Sequence, residues 1–158
     1  MIDTYSLILW GKANNETKQG QIQKIYQILS ILKEFGEPFV PNYLPAKKKV
    51  DCKSFILSVE NIELLLKKTQ KEEELDTKLG VGKSIDFFSS LNDDASSGIG
   101  IRLGNSSPRI TNTVVIDFPT NFDFKQPDIS NRLAELFKEL VKIFNPYWGC
   151  ISSRFNCQ

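Results

Sequence analysis

Histidine is absent from this 158-residue chain. Its absence removes Ser–His and Cys–His nucleophile activation, the usual proton shuttle near neutral pH, and the commonest transition-metal ligand. Cysteine is scarce. Cys52, Cys150 and Cys157 make no close Cys-x-x-Cys pair, so zinc spacing is missing, and an odd count with no secretion signal points to reduced thiols. There is no excess of one charge either. Lys and Arg total 20 against 19 acids, so no whole-molecule field draws nucleic acid or an anionic membrane. Long apolar runs are also lacking. The start, "MIDTYSLILWGK", has an acid at Asp3, no basic leader and only a short apolar stretch, which excludes a signal peptide or membrane span and sets the expectation of a cytoplasmic protein.

What is present is ordinary globular composition, 41% hydrophobic and 25% charged, in a length that suits one domain over residues 1–158. Charge is uneven along the chain: residues 51–100 hold 10 acids against 6 bases, and both flanking segments are net basic.

"YSLILW" (Tyr5 to Trp10), closed by Gly11, reads as a buried strand. Polar turn residues follow. From Ile22 to Phe35 the apolar spacing predicts a helix, with Gly36 as its stop. Three prolines in "EPFVPNYLP" predict an irregular crossing. Lys47 to Lys49 within it is read as a solvated run, with phosphate contact as the alternative. A shorter helix is expected over Val59 to Lys68, capped by Ser58, with "KKTQKEEELDTK" as its tail or a loop. "GVGKSIDFFSSL" looks like a phosphate loop but lacks the Gly-x4-Gly-Lys spacing.

From Gly98, Ile99, Ile101 and Leu103 alternate with Gly100, Arg102 and Gly104, the mark of a half-buried strand. "NTVVIDFP" is a second strand that Pro119 ends, and "GNSSPRITN" connects the two. The clearest element runs from Ile129 to Phe144, a helix with Asp128 or Ser130 as cap and Asn145-Pro146 as stop. A strand-like "WGCISSRF" follows it. The expected fold is α+β: an antiparallel or mixed sheet with two to three helices packed on one face.

Candidate chemistry is thin. Asp93-Asp94 could take a hard cation or, with Asp86, do acid and base work, but adjacent acids beside "ASSG" also suit a solvated turn. Cys52 beside Lys53 has no visible base. No catalytic residue, cofactor or metal is therefore expected. A small histidine-free enzyme using carboxylates, or a generic protein-binding adaptor, stays as the alternative.

Taken together, "YSLILWGK" before an amphipathic helix, "GKSIDFFSSL", the pair "GIGIRLGN" and "NTVVIDFP", and "FNPYWGC" after the last helix resemble the immunity proteins of bacterial polymorphic toxin systems, most closely the immunity protein 52 family. The resemblance implies a non-enzymatic cytoplasmic protein that binds and neutralises a cognate secreted toxin domain, with a nuclease the leading candidate. Nucleic acid and membrane are not implied as partners. A basic nuclease surface would be met by acids, and the candidates are Glu72, Glu73, Glu74, Asp76, Asp93 and Asp94. Tyr147 and Trp148 are expected to cover the open end of the sheet near Trp10, or to contact the partner.

Overall fold

A computed structural model describes residues 4–14, 16–76, 84–104 and 111–153, the side chains of 70–76 excepted. In chain order the elements are β1 (Tyr5–Gly11), α1 (Lys18–Phe35), β2 (Tyr43–Leu44), β3 (Lys53–Ser54), α2 (Val59–Asp76), β4 (Ile85–Phe88), β5 (Gly98–Arg102), β6 (Asn112–Asp117), α3 (Ile129–Phe144) and β7 (Trp148–Ser153). The strands form one sheet in the order β3-β2-β4-β5-β6-β1-β7, with every described pair antiparallel. Of the two sheet types the sequence left open, the antiparallel one is realised in an α+β fold.

Strand register creates two buried rows. Leu7, Ile116, Ile99 and Phe87 align across β1, β6, β5 and β4, and Leu9, Val114, Ile101 and Ile85 form the row beside them. All eight are at most 7% exposed. Such side chains contribute roughly 1.5–3 kcal/mol each on leaving water. The helices supply the opposing layer through Ile22, Ile25, Ile28, Leu29 and Leu32 of α1, Ile62 of α2, and Leu133, Leu136 and Leu140 of α3. α1 packs against both α2 and α3. α3 lies against the β1–β7 end of the sheet: a Cβ on Gly149 would sit 3.2 Å from Phe137, and one on Gly11 2.9 Å from Phe144. At those two positions glycine admits the helix.

Local chemistry sets the helix ends. α1 begins at Lys18, earlier than the apolar spacing indicates, because the Thr17 hydroxyl accepts the Gly20 amide at 3.1 Å. Ser58 caps α2 as expected, accepting Asn61 N–H at 3.1 Å. The acidic stretch continues that helix to Asp76. α3 has the predicted bounds, but its cap differs. Asp128 is left-handed (φ 62°) and makes no side-chain bond to the helix amides, and Ser130 lies inside the helix. The left-handed Asn145 closes α3 by donating its amide to Val141 at 2.9 Å.

The proline-rich crossing holds more structure than its sequence predicts. It contributes β2 and β3, fixed by backbone bonds from Asn42 to Phe88 O (3.0 Å) and from Phe55 to Asn42 O (2.7 Å). Phe39 on this crossing is fully buried and touches the rings of Phe35, Phe118 and Phe122 at 5.3, 5.0 and 5.8 Å. Phe39 therefore pins the crossing to the end of the core. Phe39→Ala should lower stability by about 3–5 kcal/mol, read from the urea midpoint at unchanged slope.

Candidate functional site: the open face of the sheet

Because side chains alternate along a strand, the register that buries Leu7 and Leu9 turns Ser6, Ile8 and Trp10 to the opposite face. Three rows result. One contains Ser152, Ser6, Asp117, Gly98 and Phe88; the next Cys150, Ile8, Val115, Gly100 and Asp86; the third Trp148, Trp10, Thr113 and Arg102. The buried residues of the three helices pack with the core rows on the other face.

Its two ends differ chemically. At the β1–β7 end the rings of Trp10 and Trp148 meet at 4.4 Å, and Trp148 remains 52% exposed. Tyr147, 59% exposed, donates its amide to Trp10 O at 2.9 Å, which fixes the entry into β7 beside the indole pair. Ile8 and Val115 continue the apolar surface inward. Toward β4, two glycines floor a groove of about 290 Å³. Gly98 pairs with Asp117 and Gly100 with Asp86, so a carboxylate stands beside each glycine. Asp117 accepts the Ser6 hydroxyl at 2.6 Å, and both Asp86 oxygens lie within 3.2 Å of the Ser84 hydroxyl. Arg102 lines the groove beyond Gly100, and its Nε is shielded from water with no acceptor among the described residues. Such a donor costs stability until an acceptor reaches it.

The residues singled out from sequence are distributed over three places. Trp148 lies at the aromatic end of this face, against Trp10 as expected, while Tyr147 lines a groove with Gly11, Lys24, Asn112 and Phe144; both are surface side chains rather than core. Glu72, Glu73, Glu74 and Asp76 fall in the last turns of α2, a helix of the other layer, and their side chains lie outside the described residues. Asp93 and Asp94 form a turn between β4 and β5. Asp93 bonds Lys49 at 2.7 Å, which places that lysine in an ion pair, and Asp94 accepts Asn121 N–H at 3.1 Å and the Thr120 hydroxyl at 3.1 Å. The solvated-turn reading accounts for this pair. Among the described residues no group of three or more Cys, Asp or Glu is arranged to hold a metal. Gly80 and Gly82 of the phosphate-loop lookalike, and the centre of the β5–β6 connector, lie outside the described residues. Cys52 is a free thiol.

Two pKa displacements are resolved, both on exposed helix surfaces away from this face. The Lys67 hydrogen bond lowers Glu63, and the Glu139 hydrogen bond raises Lys142.

A larger groove of about 530 Å³ lies at the Phe39 end, but its polar groups serve the chain itself. Asn42 Nδ2 donates to Ser89 O at 2.9 Å, and Arg132 donates to Phe35 O at 3.3 Å with its guanidinium 4.6 Å over the Phe35 ring.

Sequence reasoning passed over Ile8, Trp10, Val115, Asp117 and the joint role of Asp86 with Gly100. The signal was available in "GIGIR", where the outward positions are glycine, glycine and arginine rather than the usual large polar residues. Comparison with protein-family models and with curated proteins finds no match to this chain. No helix among the described residues is long and apolar enough to cross a membrane.

Trp10 and Trp148 are the only two tryptophans, so intrinsic fluorescence reports this face alone. The folded protein should emit at long wavelength with iodide-accessible indole, and a blue, unquenchable emission would contradict the geometry. Trp148→Ala should cost no more than about 1.5 kcal/mol, the scale of an aromatic pair, against the larger loss expected of a core tryptophan.

Proposed function

We propose that this chain is a protein-binding domain that acts by occlusion, an immunity protein that neutralises a cognate toxin domain in the cytoplasm and catalyses nothing. The observation that carries the reading is the sheet face bearing exposed Trp148 against Trp10 at one end and the acid-flanked glycine groove at the other. Aromatic anchors beside a groove with placed polar groups are the features that concentrate binding energy in protein interfaces. The resemblance of "YSLILWGK", "GIGIRLGN" and "FNPYWGC" to the immunity protein 52 family supports the same reading from the sequence side.

The chemistry of the face favours a basic partner with an apolar centre. Asp86 offers a carboxylate to an arginine or lysine, and charge-assisted hydrogen bonds of this kind are about twice as strong as neutral ones. A toxin whose substrate is phosphate-bearing presents a cationic surface, and covering it would exclude that substrate. The acidic run Glu72, Glu73 and Glu74 supplies longer-range attraction that speeds encounter.

Co-expression tests the proposal directly, once a neighbouring gene is found to encode a secreted protein with a C-terminal toxin domain. That domain should kill alone and be tolerated with this chain; continued killing removes the proposal. In purified components, Trp10→Ala with Trp148→Ala should weaken binding at least tenfold, or about 1.4 kcal/mol or more. Glu72→Lys, Glu73→Lys and Glu74→Lys together should slow association at low salt, with the difference shrinking as salt rises.

A further inference from the structure

The two edges of the sheet are built in opposite ways. β3 is two residues long, with exposed Lys53 and the Lys47 to Lys49 run close before it in sequence. Short length and lysine are common means of keeping an edge from pairing with other chains. β7 has neither. Its six residues, WGCISS, contain no charge and no proline, and among the described residues no strand lies beyond it. An edge left in that state is a template for another strand.

The flank of α3 beside this edge is also uncharged. Phe137 reaches Gly149 of β7, so the side of α3 on which Phe137 stands borders the edge. At 100° per residue, Ser130, Ala134 and Val141 share that side. Ser130 and Ala134 are exposed, and Phe137 and Val141 are half-buried. Glu135, Glu139 and Lys142 fall on the other side, with Lys138 at the margin. Tyr147 and Trp148 extend the exposed surface at the start of the strand.

We propose that the chain forms a symmetric dimer in which β7 pairs antiparallel with β7 of a second copy, and the two α3 helices pack beside each other through this flank. Symmetry argues for a second copy. A two-fold axis sets each strand against itself, so any charge near the axis meets its like, and a strand of uncharged, mostly small residues avoids that repulsion. A strand pair of this length alone is small against the standard 1,200–2,000 Å² or so of stable interfaces. The uncharged helix flank enlarges it, and micromolar affinity is the expectation. The open face stays uncovered in this arrangement, so the inference stands or falls separately from the proposed function.

Sedimentation velocity of the full chain, from roughly 1 to 100 µM to span that affinity range, should show mass rising from one chain to two. Ser152→Lys, on the open-face side of β7, and Ala134→Glu, on the exposed α3 flank, should each raise the dissociation constant at least about tenfold with unchanged far-UV circular dichroism. Two variants on different elements keep the test open if one fails to fold. At high concentration, β7 amides should exchange more slowly in wild type than in the variants. A single-chain mass at the highest concentration overturns the proposal, as does a dimer that both folded variants leave unchanged.

Discussion

Burial on one side of the sheet is the constraint on which the rest depends. Leu7, Leu9, Val114, Ile116, Ile99, Ile101, Ile85 and Phe87 must all point to the helices, and the period of two allows this in one register only. A slip of one residue in β1 would turn Ser6, Ile8 and Trp10 inward and put two leucines in water. The open face is therefore not an independent feature. Its rows are the complement of the core rows, held in place by the same hydrogen-bond ladder.

Close approach of α3 makes that one-sidedness possible at the β1–β7 end. A Cβ on Gly11 would stand 2.9 Å from Phe144, and one on Gly149 would stand 2.6 Å from Leu9 and 3.2 Å from Phe137. A larger residue at either position would have to displace side chains of the helix–sheet seam. The aromatic group at the opposite end has a matching role: Phe118, Phe122 and Phe124 lie ring against ring, and Tyr5 closes the set against Phe124 at 4.7 Å. Both ends of β1 are thus clamped from the helix side, with no demand on the other face.

Elements whose own residues carry a period were legible in the sequence. α3 follows from its stripe of Ile129, Leu133, Leu136, Leu140 and Phe144, and β5 and β6 follow from their alternation. β2 and β3 were not legible, because two-residue strands owe their existence to partners such as Phe88 and Asn42 rather than to their own pattern. β4, "IDFF", was hidden in the stretch read as a phosphate-loop lookalike, although its buried Ile85 and Phe87 alternate with exposed Asp86 and Phe88. The candidate site was half legible for a related reason. Composition marks the acids of α2, but only topology shows that they belong to the helix layer while Trp148 belongs to the sheet. Asp86 and Asp117 are 31 positions apart, and only the order β4-β5-β6 sets them on either side of the same two glycines.

The composition of the open face resolves a conflict that one-sided burial creates. A sheet face that the helices do not cover must stand in water, and a wholly apolar face of that area would aggregate. Here the apolar contribution is divided: Trp10 and Trp148 shield each other at the β1–β7 end with Ile8 and Val115 beside them, and Phe88 stands apart on β4. Between them lie Thr113, Arg102, Asp86, Asp117 and glycine backbone. The Ser6 hydroxyl donates to Asp117 at 2.6 Å, which holds that carboxylate in place. A surface fixed in this way loses little conformational entropy on binding, and preorganisation of that kind lets a modest patch bind tightly. The glycines complete the arrangement: by removing two side chains from β5 they leave a groove in which Asp86 and Asp117 stand beside bare backbone.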